Sequence, residues 1–238
     1  MMRHARTASL LLLSLGACHQ KATDQPTPEY ADWYTIKAPE ARAIEAVTGD
    51  IDHTLIITTR YNIYRTTDRG KTWQTSQPSN LGIVGFMTHR DTLFTLTAGL
   101  GSLVDSTTAY ATHPTHYSAD QGLTWQRYKF TQRTAVFAQA RVPRNRVRTS
   151  SGAIYRIAIE REPFRPGSSS AYIYTRGVQG PAGSLISLPQ EHEINSIYLD
   201  SKARLYVAAS APLCGQGKNF AFCGEQNGVL YVSKKALP

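Results

Sequence analysis

Past residue 31, apolar residues recur in short runs that alternate or are β-branched, separated by turn residues, and no long stretch carries the 3.6-residue period of an amphipathic helix. The runs LIITT (55–59), LFTLT (93–97), AIYRIAI (153–159) and LYVAAS (205–210) are rich in β-formers. A strand-like run precedes each: ARAIEAV (41–47), GIVGFMT (82–88), TAVFAQA (134–140) and EINSIYL (193–199). A tyrosine-containing run follows each: YNIYRTT (61–67), THYSA (115–119), AYIYTR (171–176) and GVLYVS (228–233). Consecutive antiparallel strands repeated at about 40–50 residues have the period of propeller blades. The pattern therefore predicts an all-β chain arranged as a small, about four-bladed β-propeller or a propeller-like array of antiparallel sheets. The fourth unit stops at Pro238 after its third strand, and the run DWYTIK (32–37) is expected to supply the missing outer strand and hide an open edge.

Two octets punctuate this pattern. TTDRGKTW (66–73) and SADQGLTW (118–125) share a hydroxyl residue, an aspartate, a glycine, a threonine and a tryptophan at identical offsets. Each follows a tyrosine strand and precedes a further run, WQTSQ or WQRYKF, which places it at a hairpin turn. An aspartate there accepts backbone N–H groups, glycine supplies positive φ, and tryptophan packs onto the blade, so the residue types suit architecture rather than a reaction. Both octets resemble the Asp-box, or BNR, motif S/T-x-D-x-G-x-T-W of sialidases and many other β-propeller proteins. The resemblance implies that Thr66, Asp68, Gly70, Thr72 and Trp73, and Ser118, Asp120, Gly122, Thr124 and Trp125, are structural residues on the outside of the propeller, away from its central face. The third and fourth units lack the octet.

The amino-terminal segment changes the expected setting. Residues 1–17 combine Arg3 and Arg6 with an apolar run from Ala8 to Ala17, which reads as a secretion signal because a membrane-spanning helix needs about 20 apolar residues. Leu15-Gly16-Ala17-Cys18 resembles the bacterial lipobox, which implies lipidation at Cys18; His19 at the next position favours the outer membrane. Residues 18–31 then form a lipidated polar tether, and residues 32–238 the propeller-like domain. The expected location is the bacterial cell envelope, with the chain lipid-anchored at the outer membrane and facing the periplasm. Cys214 and Cys223 remain as an even pair in a compartment where disulfides persist, and are expected to bond within a local hairpin.

Lys and Arg number 26 against 17 Asp and Glu, a formal charge of +9, and loss of Arg3 and Arg6 with the signal leaves +7. That balance suits anionic partners, either headgroups or acidic proteins; no nucleic-acid motif is present and none is expected as a partner. Between Arg127 and Arg165, ten basic residues face only Glu160 and Glu162. The tight run RVPRNRVR (141–148), expected in a loop, makes Arg141, Arg144, Arg146 and Arg148 candidates for partner contact, because guanidinium groups pair bidentately with carboxylates. Tyr128 and Phe164 are candidate exposed anchors.

Candidate chemistry is sparse. Sialidase-like catalysis needs arginines to hold a carboxylate, a tyrosine nucleophile paired with a glutamate, and an aspartate acid/base; Arg60, Arg65, Tyr61 and Glu45 are the candidates, in a mature chain long enough for about four blades. His113 and His116 in HPTH lack a third ligand at metal spacing, and Glu191-His192-Glu193 reads as solvated charge. No nucleophile elbow, phosphate loop or dinucleotide fingerprint occurs, so no catalytic residue, metal or cofactor is assigned. The segment HYSADQGLTWQRY (116–128) in a small lipoprotein with a cysteine pair is similar to one family of type VI secretion immunity proteins, which protect bacteria from phospholipase toxins. That resemblance implies a non-catalytic inhibitor whose partner is a protein, a toxin lipase; the alternatives are a scaffold or assembly lipoprotein and a glycan-binding or sialidase-like glycosidase module.

Overall fold

The computed structural model describes residues 29–78, 82–98, 108–129, 140–215 and 221–238. Cys18, the signal and most of the tether lie outside these residues. The amino-terminal strand β1 (Trp33–Lys37) is followed by four groups of strands. Blade I holds β2 (Ala46–Gly49), β3 (Leu55–Thr58), β4 (Asn62–Thr66) and β5 (Gln74–Pro78) in chain order. Blade II holds β6 (Ile83–His89), β7 (Thr92–Ala98) and β8 (Tyr110–Ser118), with β9 (Gln126–Arg127) and β10 (Val142–Pro143) both pairing with β8. Blade III holds β11 (Arg146–Arg148), β12 (Ile154–Pro163), β13 (Ala171–Gln179) and β14 (Leu185–Ile186). Blade IV holds β15 (Ile194–Leu199), β16 (Arg204–Ala209) and β17 (Val229–Ala236), and β1 completes it antiparallel to β17, from Trp33 opposite Ser233 to Lys37 opposite Val229.

Four antiparallel sheets thus form a four-bladed β-propeller whose innermost strands, β2, β6, β11 and β15, gather around the axis. The ring closes as the sequence predicts, by DWYTIK joining the last blade, and both strands gain ladder partners where each would otherwise be an edge. Strands β3 and β16 are buried at every position because neighbouring blades cover both faces, which is why their sequences are continuous apolar runs rather than alternating ones.

The core is divided among the seams between blades. Ile36, Ile44, Leu55, Ile57, Tyr206 and Leu230 fill the seam from blade IV to blade I. Ala46, Ile56, Ile63, Ile83, Phe86 and Trp125 fill the next, and Trp33, Tyr155, Ile157, Val178, Leu205 and Tyr231 the seam from blade III to blade IV. The face of blade II turned toward blade III carries a smaller cluster among the described residues, Val84, Leu96, Ala111 and Ala140 with Met87 and Val142 beside them.

A polar clasp reinforces the seam between blades IV and I. Arg204 donates to Asp200 Oδ2 at 2.7 Å, to Asp52 Oδ2 at 2.7 Å and to Asp50, while Lys202 reaches Asp52 at 2.8 Å. The Tyr206 hydroxyl donates to Asp200 at 3.0 Å and accepts the Ile51 amide at 3.0 Å. Hydrogen bonds from Lys202 and Arg204 hold the Asp52 carboxyl far below its ordinary range, and burial pushes the Tyr206 phenol up. With every partner matched, the clasp ties the first hairpin turns of two blades that the chain separates by about 150 residues.

Candidate functional site: the propeller axis and the third blade

In an antiparallel blade, the turns after its first and third strands share one face of the ring, and the remaining connections share the other. Both octets occupy the first of these faces, between β4 and β5 and between β8 and β9. The two are superimposable in their bonding. Thr66 and Ser118 hydroxyls donate to the first carboxylate oxygen of Asp68 and Asp120 at 2.7 Å. Thr72 and Thr124 give their amides to the same oxygen at 2.9 Å and their hydroxyls to the second, at 2.6 and 2.5 Å. Gly70 and Gly122 sit at φ of +80° and +81°, and a Cβ on either would overlap Ile36 of blade IV or Ile56 of blade I. Trp73 meets Tyr64 edge-on at 6.4 Å, and Trp125 is buried beside Phe86. Each octet is therefore a wedge between its own blade and the preceding one. Its aspartate is committed to the turn.

The opposite face gathers charge at the axis. Arg144 donates to Glu45 at 3.0 Å, and Arg60 lies 3.9 Å from the same carboxylate. The Ile197 amide donates to the Arg144 carbonyl, Ser196 to the Glu45 carbonyl and Asn195 to the Ile44 carbonyl, so strands of blades I and IV hold the pair. Burial, with Arg60 nearby, lowers the Arg144 pKa while Glu45 opposes that shift. This corrects the expectation of a loop over 141–148, because the run contains β10 and β11 and passes through the middle of the ring. Arg144 is half-buried and ion-paired; Arg146 donates to the Tyr110 hydroxyl at 3.2 Å; Arg141 is exposed over the Tyr110 ring, and Arg148 is exposed at the end of β11. The first strand of the third unit, expected at 134–140, is instead Arg146–Arg148; residues 134–139 lie outside the described residues.

The hairpin of β12 and β13 carries the remaining exposed candidates. Phe164 at its tip is 54% exposed, as expected, and stacks edge-on with Tyr172 at 4.3 Å. Tyr128 differs from expectation, being half-buried and edge-on to Phe94 at 5.7 Å. Arg156 and Arg161, two of the ten basic residues between Arg127 and Arg165, form no ion pair with a described residue, and Ile159 and Ile173 beside them are about half exposed. The signal was present as apolar and basic residues two apart on one strand, Ile159 and Arg161.

Other expectations are redrawn. Glu45 and Arg60 meet at the axis, but Arg65 is on the octet face, bonded to the Gln121 carbonyl and Thr54, so the set Arg60, Arg65, Tyr61 and Glu45 does not converge. His113 and His116 lie within β8. His192 is buried, with Nδ1 donating to the Ser210 carbonyl at 2.8 Å and Nε2 accepting the Tyr231 hydroxyl at 2.9 Å, while its neighbours Glu191 and Glu193 are exposed. A carbonyl only accepts, which fixes the tautomer. Cys214 and Cys223 are bonded, with Cα atoms 5.2 Å apart, and the Cys214 amide to the Ala221 carbonyl and the Cys223 amide to the Pro212 carbonyl close the hairpin around them. Among the described residues no His, Cys, Asp or Glu side chains group as a metal site. An open cavity of about 460 Å³ on the octet face is bounded by Asp50, Thr54, Asp91, Gln121 and Tyr198.

No family model matches the chain, and no curated protein matches it. Among solved structures it is similar to YCF48 bound to D1 peptide, at 13% identity over 90% of this chain and 99% of that one, with a TM-score of 0.33. It is also similar to YCF48 from Cyanidioschyzon merolae, at 13% identity over 87% and 86% of the two chains, with a TM-score of 0.27. At that identity and superposition neither passes a partner or an activity to this chain.

Proposed function

We propose that this propeller is a non-catalytic binding module of the bacterial envelope, anchored through lipidated Cys18, and that it acts as an immunity-type inhibitor by docking an acidic surface of an antibacterial phospholipase toxin. Its two octets are Asp-boxes, used as seam wedges. The observation that carries the reading is the distribution of charge: Arg148, Arg156, Arg161 and Arg165 are exposed on one blade, with the exposed aromatic pair Phe164 and Tyr172 on the same hairpin. Arginine around an aromatic anchor is the composition of a binding hot spot. The LGAC segment supports the anchor, and the similarity of residues 116–128 to immunity lipoproteins supports the class of partner.

Survival in competition against a toxin-delivering strain tests it. Wild-type chain is expected to protect. Cys18→Ser is expected to lose palmitate labelling and to protect less, and the reversal of Arg148, Arg161 and Arg165 to glutamate is expected to lower association with the toxin most at low salt. Arg144 is left intact in that variant because reversing it would place two carboxylates together at the axis. Equal survival with and without the gene would remove the immunity reading, and equal labelling of Cys18→Ser would remove the anchor.

A further inference from the structure

The octet of blade I closes the seam toward blade IV, and that of blade II the seam toward blade I. Blade III has no octet: its turn between β13 and β14 reads GPAGS (180–184), without aspartate or tryptophan. Away from that turn, toward the face opposite the octets, lies a groove of about 470 Å³, bordered by Thr108 on the side of blade II and by Arg146, Arg156, Arg161, Ile159 and Ile173 on blade III. Along β12, Ile159 and Arg161 share one face, whereas Glu160 and Glu162 alternate onto the other, the face that Arg156 also takes. Strand β11 covers β12 only from Ile154 to Arg156, and the Asn145 carbonyl accepts the Ile157 amide. From residue 159 to 163 the inner edge of β12 has no ladder partner among the described residues.

We propose that this groove docks an extended segment of the protein partner by strand addition to the inner edge of β12, with an apolar side chain of the segment opposite Ile159 and a carboxylate two positions away opposite Arg161. The inference rests on the binding reading above and specifies the chemistry of the partner segment. Main-chain hydrogen bonds supply affinity in such a mode, and the side chains facing the groove select the sequence. Isoleucine and arginine alternating along the receiving strand call for an apolar-x-acidic pattern in the added one.

A fluorescent peptide of repeating Val-Thr-Glu-Thr, titrated with the full mature chain by anisotropy, provides the test. Saturable binding is expected. Arg156→Gln with Arg161→Gln, both at exposed positions, is expected to weaken it about tenfold or more with no change in melting temperature. N-methylation of alternate amides in the peptide is expected to abolish it. Equal affinity for hexaglutamate, for a scrambled peptide or for the N-methylated one would reduce the groove to simple charge attraction and overturn strand addition. So would preferential binding to anionic phospholipid vesicles, or no peptide binding at all. If the double variant protects cells as wild type does, the groove inference fails while the binding reading stands; if the peptide binds as expected but wild type gives no protection, the immunity reading fails and the groove remains.

Discussion

Thr124 gives its hydroxyl and its amide to Asp120, and these hydrogen bonds, with one from Ser118, hold the carboxyl at about 2, below its ordinary 3.8; Thr72 and Thr66 do the same for Asp68. A carboxylate whose folded pKa is depressed contributes stability above its unfolded value, and that contribution is lost as pH falls toward the folded one. Asp120→Ala is accordingly expected to melt at a lower temperature than wild type at pH 7, with the gap narrowing between about pH 4 and about pH 2, as calorimetry at both ends of that window would show. His192 works in the next window up. Burial lowers its pKa from the ordinary 6.5, so the unfolded chain takes up the proton first on acidification. Its contribution is complete above about pH 6.5 and is lost as pH falls through the folded value. His192→Leu leaves the Ser210 carbonyl without its ring donor and is expected to cost about 1–3 kcal/mol at pH 7.5 in urea melts, and less at pH 5.5, where wild type has itself weakened. A variant penalty that grows on acidification would contradict this assignment.

The hairpin of Cys214 and Cys223 shows how local an element can be. Its link spans nine positions, and loop closure of that length contributes at most about 3 kcal/mol. Reduction is expected to lower the melting temperature modestly while leaving the strand signal in circular dichroism intact; loss of that signal would mean the bridge holds the blade itself. That pair was legible in sequence because the two cysteines sit close together and are the only ones after Cys18. Strands β3 and β16 were legible because burial on both faces demands a continuous apolar run, and the octets because each packs its entire bonding pattern into eight residues. Strand β11 was not, since Arg146-Val147-Arg148 has only one apolar residue to show, between two arginines. Arg144 looked like surface charge because its partner Glu45 is 99 positions away, and His192 looked solvated because Tyr231, 39 positions on, supplies the contact that buries it. The groove was illegible because it is set by the length of β12 that β11 leaves uncovered beyond Arg156, a pairing that no local pattern announces.

At the scale of the whole molecule, stability is distributed over seams, and β1 contributes to two of them: Ile36 to the cluster between blades IV and I, Trp33 to that between blades III and IV. A chain beginning at Ala38 is expected to lose cooperative melting and to self-associate through the uncovered edge of β17, which size-exclusion chromatography with light scattering would show; a monomer melting as wild type does would mean the ring is held without its closing strand. The same pairing sets a schedule. Trp33 and Ser233, 200 positions apart, are neighbours, so a chain delivered amino-terminus first keeps β1 idle until nearly its last residue has arrived. During that wait the strand is free to complete another chain's fourth blade. High local concentration would favour such exchange, making assembly a race between self-closure and strand swapping, and delivery speed rather than final stability would decide how many rings close on themselves.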